Sequence, residues 1–249
     1  MVNVPDLKLG PYTMQIALDT KSPLGTLVSK RIVEVEDPVW NVQSVNYVEY
    51  LKEGNAKEAA KARETMLRKW FKRRVKSGQP CAMDDQSQVT RGVFPGSDKL
   101  SGVLKWYPGR DYVRVRAEVT DAFFSTDALK DTPWKASSLL LYLSASGVDQ
   151  DIVEYVIVPE GAGGIPRIQP HRGASLGGLI SAWKRTDKGY VVDVKIPWTS
   201  IRGYEKGWRV LPVQAAITSK TDNGRTWLVF NRAQDDWNCP RAYAGLERE

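Results

Sequence analysis

The chain has 249 residues, of which 42% are hydrophobic and 26% charged, as in an ordinary globular protein. No apolar run approaches the roughly 20 residues that span a bilayer, so no membrane-spanning helix is predicted. One histidine, two cysteines and the absence of P-loop, dinucleotide and GxSxG motifs exclude the commonest catalytic, metal and phosphate sites, so a non-enzymatic function is predicted.

Two strands and one basic helix are predicted in the first third of the chain. Residues 11–18 and 26–36 alternate like half-buried strands. The segment 55–78 then holds nine Lys and Arg residues against two Glu residues, and so accounts for the whole net charge of +7. Its start at Asn55 resembles a capping box, and Gly78 is a typical stop, which predicts a helix over 56–77.

The predicted helix is amphipathic. Its basic faces are either solvated surface or a docking site for an anionic polymer or a partner protein. The apolar stripe, through which it is expected to pack, consists of Ala59, Met66, Leu67, Trp70, Phe71 and Val75.

After residue 100, short apolar or alternating runs are separated by the turn sequences PGR, GVDQD, GAGGIP, DKG and TDNG. This pattern predicts a mainly β protein, with an antiparallel β-sandwich over 96–249 and a region 1–95 of two strands and the helix packed on it. The predicted strands are SGVLKWY, DYVRVRAEVT, SSLLLYLSA, DIVEYVIVP, GGLISAWKR, GYVVDVKIPW, RVLPVQAAI and RTWLVFN.

Four segments of this half resemble, in order, the strand motifs of the family 9 carbohydrate-binding modules, which are DOMON-like β-sandwiches. They are WYPGRDYVRVRAEVTD (106–121), PWKASSLLLYLS (133–144), GYVVDVKIPW (189–198) and WNCPRAYAGL (237–246). The resemblance covers about residues 100–249. It implies non-catalytic binding of an oligo- or polysaccharide by an accessory module of a larger carbohydrate-active or surface protein. It also implies an extracellular or periplasmic location with the leader absent from this chain, while a cytoplasmic location stays open.

The family sandwiches a terminal sugar between two tryptophans, and the matching residues here are Trp134 and Trp237. Gln234 matches an amide side chain of the family, and Trp183 is a further candidate to line the groove. Sugars suit such a platform because their axial C–H groups form an apolar face that stacks on an indole.

The motif after Trp134 departs from the family. Ser137, Leu140 and Ser144 stand where the family has Asp, Glu and Asp, and the family's Glu contacts a sugar hydroxyl. The platform is therefore retained while part of the polar recognition is missing. Either the ligand differs or the module has become structural.

The resemblance also bears on ions, cysteines and haem. Asp121 and Asp127 are candidates for the structural calcium that the family can bind; no other cofactor is expected. Cys239 replaces a family Asp beside the platform, and a disulfide with Cys81 is predicted, with two free thiols as the alternative. Related DOMON-like sandwiches bind haem through Met, His or Lys, so an electron-transfer domain using His171 is the rival function.

Overall fold

The computed structural model describes residues 10–19, 26–35, 49–50, 52–70, 73–127, 131–145, 151–160, 164–204, 210–231 and 243–248. The chain divides into two compact units, Met1–Met66 and Leu67–Glu249. In the first unit, strands β1 (Gly10–Asp19) and β2 (Thr26–Val35) pair antiparallel, with Gly10 opposite Val35 and Asp19 opposite Thr26. Both strands confirm the prediction from alternation.

Helix α1 (Ala56–Trp70) begins where it was predicted, and the backbone N–H of Glu58 donates to Oδ1 of Asn55 at 3.4 Å. The predicted end at residue 77 is wrong, because Arg74–Val75 form a strand, β3. Val75 is only 1% exposed and belongs to the sandwich core, so its burial there prevails over its helical spacing. Packing of the helix on the sandwich stays a prediction.

The second unit contains β3 and twelve further described strands. They are β4 (Cys81–Met83), β5 (Val89–Arg91), β6 (Leu100–Pro108), β7 (Tyr112–Asp121), β8 (Ser138–Ser144), β9 (Ile152–Val158), β10 (Arg167–His171), β11 (Ile180–Thr186), β12 (Gly189–Pro197), β13 (Val210–Thr221), β14 (Gly224–Val229) and β15 (Ala244–Glu247). These strands form two sheets. The larger sheet has the order β10-β9-β8-β13-β14-β5, with β15 pairing with β13 and with β3, and the smaller has the order β11-β12-β7-β6-β4. Every pair is antiparallel except β15 with β3.

The predicted mainly β, antiparallel sandwich is confirmed, and each strand predicted after residue 100 is present. The sheets also take in β3, β4 and β5, which come from before residue 96. The three are too short to show a period in the sequence, but pairing with long strands stabilises them.

Side chains of the larger sheet are buried on both of its faces. Along β8, Leu139 and Leu141 join residues of both sheets in the core between them, whereas Leu140 and Tyr142 point the other way. These outward residues form a second cluster, here called the outer cluster, which contains Leu140, Tyr142, Ile152, Val156, Ala216, Val229 and Tyr243, with Trp134, Val210 and Trp227 packed against it. The outer cluster supports the candidate site.

Candidate functional site

Trp134 lies in a 3₁₀ turn, Pro133–Lys135, that leads into β8. Its backbone carbonyl accepts hydrogen bonds from Nη1 of Arg225 at 2.5 Å and from Oγ1 of Thr218 at 3.2 Å. The indole is half-buried against the outer cluster. The turn is therefore fixed to the sheet beneath it, and the indole is held in place by its own backbone as well as by packing.

His171 is the aromatic neighbour of Trp134. The two ring centroids are 5.8 Å apart, and the ring planes are tilted by 60°. His171 ends β10, an edge strand of the larger sheet. Its Nε2 is buried and has no hydrogen-bond partner among the described residues, so the imidazole has bonding capacity to spare.

A row of polar side chains crosses four strands beside this aromatic pair. Gln214 lies opposite Tyr142, Tyr142 opposite Glu154, and Glu154 opposite His171. We call these residues the polar row. Directly opposed residues have Cβ atoms about 4.5–5.5 Å apart. The Gln214 side chain, however, is fully buried and bonds to the backbone of Ala215 and Asn231. The Tyr142 hydroxyl donates to the Glu154 carboxylate.

Arg172 brings a positive charge to the end of the polar row. Its Nε lies 3.4 Å from Oε2 of Glu154, and the two side chains are 34% and 15% exposed. Arg172 also has a φ of 53°, a conformation that is uncommon outside glycine and that clusters at functional positions.

Burial shifts the pKa of two members of the row, Glu154 and Tyr142. It raises the pKa of Glu154, although His171, Arg172 and the bond from Tyr142 all favour the carboxylate. Burial also raises the pKa of Tyr142 well above its ordinary value, so this hydroxyl remains a proton donor. Together the row and Trp134 offer a π face, an acceptor carboxylate and a guanidinium donor, which suits a ligand with one apolar face and several hydroxyls.

Of the other predicted ligand-binding residues, Trp183 is the one that the structure describes. Trp183, on β11 of the smaller sheet, packs against the core between the sheets and stacks on Phe124, with the ring centroids 6.5 Å apart. The structure therefore does not bring Trp183 to Trp134. Trp237 and Gln234 lie outside the described residues.

The predicted calcium ligands have different surroundings. Asp121 is 1% exposed, and its Oδ1 accepts from Oγ of Ser219 at 2.8 Å and from the backbone N–H of Phe123 at 3.0 Å. Burial raises its pKa, although these hydrogen bonds oppose the shift. Asp127 is exposed. No group of three or more His, Cys, Asp or Glu side chains that suits a metal occurs among the described residues, and calcium binding here stays a prediction.

Cys81 is buried in β4 with no disulfide partner among the described residues, and burial raises the pKa of its thiol to about 12. Its predicted partner Cys239 lies outside the described residues, so the disulfide also stays a prediction.

For the haem alternative, the described candidate ligands lie apart in the packing: Met83 is in the core between the sheets, whereas His171 is beside Trp134. In the part of the chain that the structure describes, no helix has both the length and the apolar character to cross a membrane.

The sequence did not single out Glu154, Tyr142 or Arg172 for this site. Two signals were present: Glu154 is the one charged residue in the apolar strand IVEYVIV, and His171 is the sole histidine of the chain. The strand register connects them, and it cannot be read from either segment alone.

The two-sheet sandwich is a fold that this chain shares with solved carbohydrate-binding modules. Two solved structures with this fold are family 9 carbohydrate-binding modules from Caldicellulosiruptor kristjanssonii, one in complex with cellotriose and one with glucose. Each has a TM-score of 0.52 and 13% identity to this chain, and the match covers 70% of this chain and 91% or 94% of theirs. The predicted family 9 fold is thereby confirmed. No family model and no curated protein matches the sequence.

Proposed function

We propose that this protein binds carbohydrate without catalysis, stacking a sugar ring on Trp134 while Glu154 and Arg172 hydrogen-bond to its hydroxyls. The observation that carries the proposal is the position of Trp134, whose indole lies beside His171 at the end of the row that contains Glu154. The bound sugars of the two structural neighbours support the same ligand class.

Glu154 replaces the acceptor carboxylate that this chain lacks at the position of the family's Glu. Leu140 occupies the position of the family's Glu, and it lies opposite Val156 on β9. Two residues along the same strand, Glu154 lies opposite Tyr142 and points to the same face. A carboxylate accepts hydrogen bonds from sugar hydroxyls, and Arg172 can donate to a ring or hydroxyl oxygen. We infer an altered ligand rather than a loss of binding.

Two further residues complete the proposed site. Trp237 would supply the second indole of the sandwich, and Gln234 would supply an amide contact, as the family resemblance implies. We assign Trp183 to the core because of its packing there. The protein is proposed to act outside the cell or in the periplasm, as an accessory module of a larger carbohydrate-active or surface protein.

Trp134→Ala tests the proposal, with Trp227→Ala as the matched control. Both tryptophans pack against the outer cluster, but Trp227 lies on β14, opposite Thr218 of β13, and is not a member of the polar row. A glycan array first identifies a ligand, and calorimetry then measures its affinity. Trp134→Ala should weaken binding by about 2 kcal/mol or more, since central stacking aromatics dominate such sites.

Trp227→Ala should leave that affinity within about twofold, because a residue outside a contact contributes little to it. Thermal melts of both variants correct for unfolding. If wild type and Trp134→Ala bind the sugar with equal affinity, Trp134 is not the stacking residue. If both variants lose affinity equally, the loss comes from disturbing the outer cluster.

A further inference from the structure

On the exposed face of the smaller sheet, positively charged side chains lie directly opposite one another on neighbouring strands. On β7, Arg114 and Arg116 point away from the core. The register places Lys195 of β12 opposite Arg114, and Lys105 of β6 opposite Arg116. Like charges directly opposite one another destabilise a sheet, so this face holds two unfavourable cross-strand pairs.

Two carboxylates lie among these cations: Glu118 of β7 accepts from Nε of Arg116 at 3.1 Å, and Asp193 pairs with both arginines. Asp193 of β12 accepts from Nε and Nη2 of Arg114 at 2.9 and 2.5 Å and lies 3.9 Å from Nη1 of Arg116. Neither Lys105 nor Lys195 has an ion pair among the described residues; Lys195 instead lies 5.2 Å from the ring of Tyr112. The sheet therefore retains more positive charge than its own stability requires, which is typical of a functional surface.

A cleft adjoins this face at the turn between β6 and β7. It encloses about 300 Å³, and its lining consists of Ser77, Pro108, Gly109, Arg110 and Arg248. No carboxylate belongs to this lining. The backbone N–H of Gly109 donates to the Tyr112 carbonyl at 2.8 Å, so the cleft adjoins the sheet face where β7 begins.

Arg248 is held in place at the cleft. Its Nη1 donates to the Tyr204 hydroxyl at 2.5 Å, its Nη2 donates to the Arg110 carbonyl at 3.2 Å, and its Cζ lies 5.6 Å from the ring of Trp198. A guanidinium that is already oriented loses little entropy when it binds a carboxylate.

We propose that this cationic face, formed by Lys105, Arg110, Arg114, Arg116, Lys195 and Arg248 with Tyr112, binds an acidic polysaccharide of the polyuronate class. It belongs to the opposite sheet from the polar row, so it is a second surface that does not depend on the proposed sugar stacking. The cations would pair with uronate carboxylates, and the tyrosine ring would contact a sugar face.

The charge pattern favours a polyuronate over a nucleic acid. DNA carries a phosphate about every 1.7 Å along its axis, and Asp193 and Glu118 would face those phosphates. A polyuronate carries one carboxylate and several hydroxyls per sugar. Its hydroxyls can donate to Asp193 and Glu118 while its carboxylates meet the neighbouring cations, so both signs of charge are used.

The test compares two double variants of equal net charge. Lys105→Gln with Lys195→Gln removes two cations from the face and relieves both like-charge pairs, so it should not lower the melting temperature. Lys99→Gln with Lys188→Gln removes two exposed lysines from other positions. Polygalacturonate is the probe, calorimetry at low and high salt gives the affinity, and single-stranded DNA is the comparison polymer.

The wild type should bind polygalacturonate at low salt and lose affinity as salt rises. The Lys105→Gln, Lys195→Gln double variant should bind polygalacturonate about three- to tenfold more weakly than wild type. The affinity of the Lys99→Gln, Lys188→Gln control should change by less than about twofold. Trp134→Ala should keep polygalacturonate binding, so loss of neutral-sugar binding in that variant leaves this proposal unaffected. Equal losses in both double variants, no binding by the wild type, or tighter binding of DNA would each overturn it.

Discussion

Thr218→Val removes a single buried hydroxyl beneath the Trp134 turn. Thr218 is 1% exposed, and its Oγ1 lies 3.0 Å from the carbonyl oxygen of Ala136, 3.2 Å from that of Trp134 and 2.7 Å from Oγ of Ser138. Valine has the same shape, so the substitution leaves no cavity. The effect on stability is therefore that of the hydrogen bonds alone.

The expected loss is about 2 kcal/mol. Arg225 still donates to the Trp134 carbonyl, whereas the Ala136 carbonyl and the fully buried Ser138 hydroxyl each lose a partner. A buried polar group left without its partner costs about 1–3 kcal/mol. For a protein of this size, about 2 kcal/mol lowers the melting temperature by roughly 4–8 °C. Urea unfolding followed by tryptophan fluorescence measures the change.

The same variant should bind sugar more weakly, because the turn that holds the indole is no longer tied to β13. Thr226→Val is the matched control: Thr226 is also fully buried, and its hydroxyl donates to the Val93 carbonyl at 2.7 Å, away from the polar row. It should lose stability but keep its affinity. A Thr218→Val variant within about 0.5 kcal/mol of wild type would refute the account, as surface substitutions commonly fall in that range.

Three further predictions concern protonation, and a fourth concerns the predicted disulfide. Because burial raises the pKa of Glu154, sugar binding should weaken on acidification at a higher pH than for an exposed Glu, and Glu154→Gln should show no such step in a calorimetric pH series. The raised pKa of Asp121 contributes stability that is complete below its unfolded-state pKa and is lost as pH rises through the folded one. The urea midpoint of Asp121→Asn should therefore rise relative to that of wild type as pH increases above about 4, the ordinary pKa of Asp, and a constant difference would contradict this. With a pKa of about 12, the Cys81 thiol should resist alkylation in the native protein. The predicted Cys81–Cys239 bond requires that the unreduced, unfolded chain take up no label, so two labels by intact mass would rule it out.

The alternation of apolar and polar residues, together with the turn sequences, predicted most of the sandwich. Strands such as β7 and β12 are long and keep one face apolar, so the alternation is visible in the sequence. Arg74–Val75 was predicted as helix, since its spacing continues the stripe of α1. Its actual conformation depends on a parallel partner, Gly245–Leu246, far along the chain. A local pattern carries no information about such a partner.

The candidate site was predictable only in part. Trp134 followed from the resemblance, whose motif includes it. Glu154 and His171 are 17 positions apart in the sequence and meet because β9 and β10 pair in one register. A shift of that register by one residue would turn the two side chains to opposite faces, so the site depends on a pairing that composition and motif do not specify.

Strand β10 has a consequence for solubility. It is an edge of the larger sheet, and an edge strand is a template on which a second chain can add. Pro170, next to His171, has no N–H to offer an incoming strand, and the strand is only five residues long. The segment that presents the imidazole thus also blocks edge-to-edge aggregation, and any re-engineering of the binding residues on this strand needs to keep its proline.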